Sequence, residues 1–216
     1  YRFADPCRHV VVPHGHFGDM WAEAGLPDRA GAEAALGLPP VPDGGLRIGI
    51  VGAPRDEKLV QVVLDAVAAS SRSDVQLVCW SLRGDERVPD DPRIVVAQPY
   101  RSVAPHAYAT RVAACDALAL VFEPDGEMLG TGSAADATGL GLPALASDWP
   151  YLTEALGAGA VPAGHTVDSV AAAVDALTPE VLGRAREGAE RRREELAWDR
   201  LDVVTQRRPL GEVGLV

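Results

Sequence analysis

The chain has 216 residues, 47% of them hydrophobic and 24% charged, which is the make-up of an ordinary globular protein with enough apolar material for a sizeable core. Its formal net charge of −11 argues against nucleic acid as a partner, since backbone phosphates are met by clustered cations. No run of 18 apolar residues occurs, so no membrane span is expected.

In chain order, the first 45 residues read as an irregular arm containing one short helical pattern at 29–36. From Leu46 the pattern becomes regular, with an apolar strand at 46–51 and a helix at 57–70. That helix carries Leu59, Val60, Val63, Leu64 and Val67 at helical spacing. Strands follow at 75–80 and 93–97, a helix at 104–114, and a buried-looking strand at 116–122. A helix at 131–140, a strand at 143–147, a short helix at 151–156 and a short strand at 158–161 come next. Thr166 and Thr178-Pro179 open the last two helices, 166–177 and 179–197. This alternation predicts an α/β protein with a doubly wound parallel sheet. The expected division is an arm over 1–45, a Rossmann-like domain over 46–202 and a tail over 203–216.

Doubly wound sheets bind ligands beyond the carboxyl ends of their strands. Two loops there carry suggestive chemistry. Gly130-Thr131-Gly132-Ser133 follows the strand at 116–122 and opens a helix, where unpaired backbone N–H groups and the positive dipole end suit an anion. Thr131 or Ser133 is the expected N-cap. Lys58, the one lysine among 20 basic residues, is placed at the start of the helix after the first core strand, with Arg55 nearby as a second cation. Glu127 and Asp136 are candidate acceptors for sugar or ribose hydroxyls. Asp136 lies among alanines in a helix expected to be buried, so its charge needs a partner, either a ligand hydroxyl or a helix end.

Other chemistries have less support. His14 and His16 form a His-Gly-His segment with no convincing third ligand, so a structural role is expected and no metal. No G-x-S-x-G, G-x-G-x-x-G or G-K-[ST] occurs, which disfavours α/β-hydrolases, dinucleotide dehydrogenases and P-loop NTPases. Cys7, Cys79 and Cys115 lack CxxC spacing and two lie at or beside apolar strands, so free thiols in a reducing cytoplasm are expected.

Taken together, these segments resemble the C-terminal, donor-binding half of a GT-B glycosyltransferase of the retaining group 1 type. The resemblance rests on 51–58, on 114–122, on the loop and helix from Gly130 to Ser147, and on Thr153-Glu154 and Trp198-Asp199. It spans about 9–202, taking in His14-Gly15-His16-Phe17. It implies that Lys58 meets the donor phosphates, with Gly130, Thr131, Gly132 and Ser133 supplying N–H groups. It further implies a donor-sugar contact for Glu127 and a ribose contact for Asp136. The sequence departs from the family pattern in having Ala53 for arginine, Leu59 for glycine, and carboxylates nine rather than eight residues apart.

The expected function is therefore a donor domain that binds a nucleoside-diphosphate sugar as substrate, without a resident cofactor. The resemblance also implies an N-terminal acceptor-binding domain or partner chain, and no catalytic residue is assignable within these residues. The rival expectation is a non-catalytic nucleotide-binding or assembly module on the same fold.

Overall fold

A computed structural model describes residues 15–16, 18–23, 25–42, 44–96, 100–123 and 130–200. Six parallel strands form one sheet: β1 (Leu46–Ile50), β2 (Val75–Cys79), β3 (Ile94–Val96), β4 (Ala117–Leu120), β5 (Ala144–Ala146) and β6 (Ala160–Pro162). Their spatial order is β3-β2-β1-β4-β5-β6. The order reverses between β1 and β4, and a crevice opens where the chains leaving these two strands part to opposite sides. β1, β2, β4 and β5 are buried at every position, as expected of strands covered on both faces.

Eight helices are described: α1 (Gly18–Glu23), α2 (Arg29–Leu36), α3 (Val60–Ala69), α4 (Pro105–Ala113), α5 (Gly132–Gly139), α6 (Pro150–Leu156), α7 (Val167–Asp175) and α8 (Pro179–Glu195). One apolar layer joins Ile48 and Ile50 to Leu64 and Val67 of α3 and to Val170 and Val174 of α7. The other joins Leu118 and Leu120 to Val112 of α4, Ala134 and Ala137 of α5 and Leu152 of α6. Gly49 faces this second layer so closely that an added Cβ would lie 2.4 Å from Cys115 Sγ. Cys79 and Cys115 are free and buried, and Cys7 lies outside the described residues.

At the amino ends of the strands an ionic cluster fastens α2 to the sheet. Arg47, fully buried, donates to Gln76 Oε1 at 2.7 Å and to the Pro39 carbonyl at 2.6 Å, and its Nη1 lies 2.5 Å from Glu33 Oε1. Asp116 accepts from the Arg47 backbone N–H at 2.7 Å and from Arg29 Nη1 at 2.5 Å. These partners keep the Arg47 charge from being stranded in an apolar interior.

Several expected boundaries shift. A six-residue helix, α1, lies in the stretch read as irregular. α3 starts at Val60 rather than at 57, because 56–57 form a turn, Lys58 is held in a bridge, and the backbone N–H of Leu59 pairs with the Val121 carbonyl at 3.0 Å. Residues 157–159 form a 3₁₀ turn ahead of β6. Thr166 and Thr178 cap α7 and α8 as expected, the first in a reciprocal capping box with Ser169. Among the described residues no helix is long and apolar enough to cross a membrane.

Candidate functional site

Two loops leave the carboxyl ends of β1 and β4 and meet across the crevice. After β1 the chain turns at Gly52, whose φ of +85° favours glycine. A Cβ at Gly52 would come within 2.7 Å of Ser133 Oγ and 3.6 Å of Lys58 Nζ, so the backbone here is part of the site wall. Beyond it, Lys58 pairs with Phe122 in an isolated antiparallel bridge, and the Glu123 N–H donates to the Glu57 carbonyl at 2.8 Å. The residue expected on a helix is thus held, just after a turn, in a bridge against the end of β4.

That anchoring turns the Lys58 side chain inward, and it is only 6% exposed. Its ammonium donates to the Val51 carbonyl at 2.6 Å, to Ser81 Oγ at 3.3 Å and to the Ala53 carbonyl at 3.4 Å. The Phe122 ring lies 5.9 Å away. Burial is the main reason its pKa falls to about 8, with Arg55 lowering it further while the charge of Asp136 opposes the fall. Opposite, Thr131 is the N-cap of α5, and its hydroxyl accepts from the Ser133 N–H at 3.3 Å. The first turn of α5 therefore directs its dipole at the crevice with one donor already held by its cap.

A cavity of about 270 Å³ lies between these loops. Arg55, Lys58, Thr131, Gly132, Ser133 and Asp136 all line it, so six of the eight residues singled out from the sequence converge on one space. Gly130 sits beside it, where a Cβ would rest 3.3 Å from the Tyr151 ring. Glu127 lies outside the described residues.

Sequence reasoning missed Tyr108, Tyr100 and Phe122, which also line the cavity. Tyr108, from α4, donates to Asp136 Oδ2 at 2.6 Å. Asp136 was expected to need a ligand hydroxyl or a helix end, and the structure gives it a phenol. Burial first, and the Asp136 charge second, hold the Tyr108 hydroxyl well above its usual pKa, so it stays a neutral donor. Its place among Ala109 and Val112 on the inward side of α4 was readable, but its reach to a carboxylate 28 residues on was not.

Tyr100, Tyr108 and Gly52 are shared with a second cavity of about 260 Å³, whose other walls include Trp80, Arg101 and Arg111. The site is therefore bipartite: a cationic, N–H-rich chamber beside one with aromatic and arginine walls. Next to it, Arg83 pairs with Asp56, and Gln61 exchanges hydrogen bonds with the Arg87 backbone at 2.8 and 2.9 Å. The first contact ties the loop that carries Arg55 to the segment after β2, and the second ties α3 to that same segment.

His16 is buried and structural. Its Nδ1 accepts from the Gly18 N–H at 3.0 Å and its Nε2 faces the Arg193 carbonyl at 2.8 Å. His14 lies outside the described residues.

No family model and no curated protein matches the chain. Solved structures do. The chain is similar to a glycosyltransferase from Rickettsia africae ESF-5, with a TM-score of 0.66 at 11% identity over 92% of this chain and 55% of that one. It is similar to Anabaena Alr3699/HepE in complex with UDP and glucose, with a TM-score of 0.63 at 14% identity over 83% of this chain and 51% of that one. An α,α-trehalose-phosphate synthase (UDP-forming) from Burkholderia xenovorans gives a TM-score of 0.62 at 13% identity over 92% and 51%. The chain spans about half the length of each. At such identities the likeness speaks for the fold: these residues have the α/β, Rossmann-like fold of one half of a GT-B glycosyltransferase.

Proposed function

We infer that this chain is the donor-binding part of a glycosyltransferase and binds a nucleoside-diphosphate sugar in the crevice beyond β1 and β4. The observation that carries the reading is Lys58, a buried ammonium set across one cavity from the N-terminus of α5. A burial that lowers a lysine's affinity for its proton is a cost unless an anion recovers it. In this reading the diphosphate lies against Lys58, Arg55 and the N–H groups of Gly132 and Ser133. Those groups would neutralise the charge that develops as the glycosidic bond breaks and the nucleoside diphosphate leaves. The adjoining chamber, with Trp80, Tyr100 and Tyr108, has the stacking surfaces that a nucleobase requires.

The acceptor site and the remainder of the cleft belong to residues beyond these, in a further domain or a partner chain. Transfer of the sugar is thus assigned to the complete enzyme, and donor binding to this half. The free buried thiols fit a reducing cytoplasm.

The test is calorimetric titration with UDP, GDP and ADP, with UDP first because two of the similar proteins are described with it or as forming it. Binding of one nucleoside diphosphate by the wild type, weakened about tenfold or more in Lys58→Ala, is the expected outcome. Equal affinity in both proteins would remove the phosphate assignment, and silence towards all three would remove the donor reading.

A further inference from the structure

Asp136 is a poor neighbour for an anion. It lines the same cavity as Lys58, Arg55 and the first turn of α5. A carboxylate beside a bound phosphate opposes it by like-charge repulsion, most strongly where little water screens the pair. Yet its Oδ2 accepts from Tyr108 at 2.6 Å, the short length of a hydroxyl donating to an ionised carboxylate. The phenol reaches it from α4, a different wall of the crevice from α5, which carries Asp136. Tyr108 also lines both chambers, so it stands where they join.

We propose that Tyr108 is a positioning residue that makes the crevice fit for an anion, by drawing the Asp136 carboxylate onto its hydroxyl and holding that charge off the phosphate. The inference rests on the reading of this crevice as a phosphate site. Physically, the phenol spreads the carboxylate charge through a strong hydrogen bond and fixes the side chain to the α4 wall. Tyr108 need not touch the ligand to do this, and its influence passes through Asp136.

Inorganic pyrophosphate is the probe, titrated calorimetrically into the wild type, Tyr108→Phe, Asp136→Asn and the double variant. Phenylalanine keeps the ring in its packing and removes only the donor. Tyr108→Phe is expected to bind roughly three- to tenfold more weakly. Asp136→Asn should bind at least as tightly as the wild type, and the double variant should match Asp136→Asn. That rescue is what a purely structural role for the ring cannot produce. An unchanged Tyr108→Phe, or a double variant as weak as Tyr108→Phe, overturns the proposal. Should Tyr108→Phe melt too early to titrate, a loss of pyrophosphate affinity in Asp136→Asn overturns it equally. A parallel titration with nucleoside diphosphates separates the two readings. Pyrophosphate binding with the rescue intact, and no gain from any nucleoside, removes the donor reading and supports the role of Tyr108. Failure to bind pyrophosphate at all removes both.

Discussion

Gly52 and Ser133 are 81 residues apart in the chain, yet a single methyl group on the first would come within 2.7 Å of the hydroxyl of the second. The crevice floor is formed where two strand-end loops touch, and glycine is what lets them do so. Gly52→Ala would impose both a strained backbone at φ +85° and this collision. We expect it to destabilise the fold by about 1–3 kcal/mol and to weaken anion binding, since Ser133 must move. Urea denaturation checks the first effect, and an unchanged midpoint would contradict it.

Lys58 should leave a signature in the pH dependence of stability. Below about pH 8 the lysine is protonated in the folded and unfolded chain alike, and the folded state carries the cost of burying the charge. Between about 8 and the ordinary lysine value of 10.5, the unfolded chain still holds a proton that the folded chain has released. Stability therefore rises with pH across this window, by on the order of 3 kcal/mol. Wild type and Lys58→Met compared by denaturation at pH 7 and pH 10 isolate the contribution. Parallel slopes in the two proteins would rule it out.

The same proton governs binding. An anion that prefers the ammonium form should lose affinity as pH rises through about 8, the point at which Lys58 gives up its charge. Pyrophosphate affinity measured from pH 7 to 9.5 should fall in the wild type and stay flatter in Lys58→Met. A flat wild-type profile would mean that Lys58 does not face the anion.

Thr131 caps α5, and removal of its hydroxyl leaves the Ser133 N–H without that partner. Thr131→Ala should lower stability by about 1 kcal/mol. Because the cap and an anion compete for the same donor, its effect on pyrophosphate binding should be smaller than that of Lys58→Ala. A Thr131→Ala loss as large as the lysine's would place the hydroxyl itself on the ligand.

Arg47 tests the opposite end of the sheet. Arg47→Ala leaves Gln76 Oε1 and the Pro39 carbonyl without their donor beside a cavity, while Glu33 keeps Arg29, for an expected loss of about 3–5 kcal/mol. The melting temperature reads this directly, and a change under a few degrees would refute the account.

How much of this was legible in the sequence follows from how local each signal is. Strand and helix periodicities and the Thr166 and Thr178 caps are written in neighbouring residues, so the parallel α/β order could be read directly. Small-residue loops at strand ends likewise marked where Lys58, Arg55, Thr131, Gly132, Ser133 and Asp136 would meet. The burial of Lys58 was not local. It depends on the pairing of its segment with Phe122, 64 residues on, which keeps it out of α3 and aims its ammonium at the Val51 carbonyl. The partner of Asp136 was not local either: a carboxylate amid alanines announces only that it needs one. Periodicity and capping act within a turn or a strand, so the layers of the fold and the strand-end loops of the crevice are readable from neighbouring residues alone. Which charges are buried, and which hydroxyl meets which carboxylate, depends instead on loops that come together across the reversal between β1 and β4, far apart in the chain.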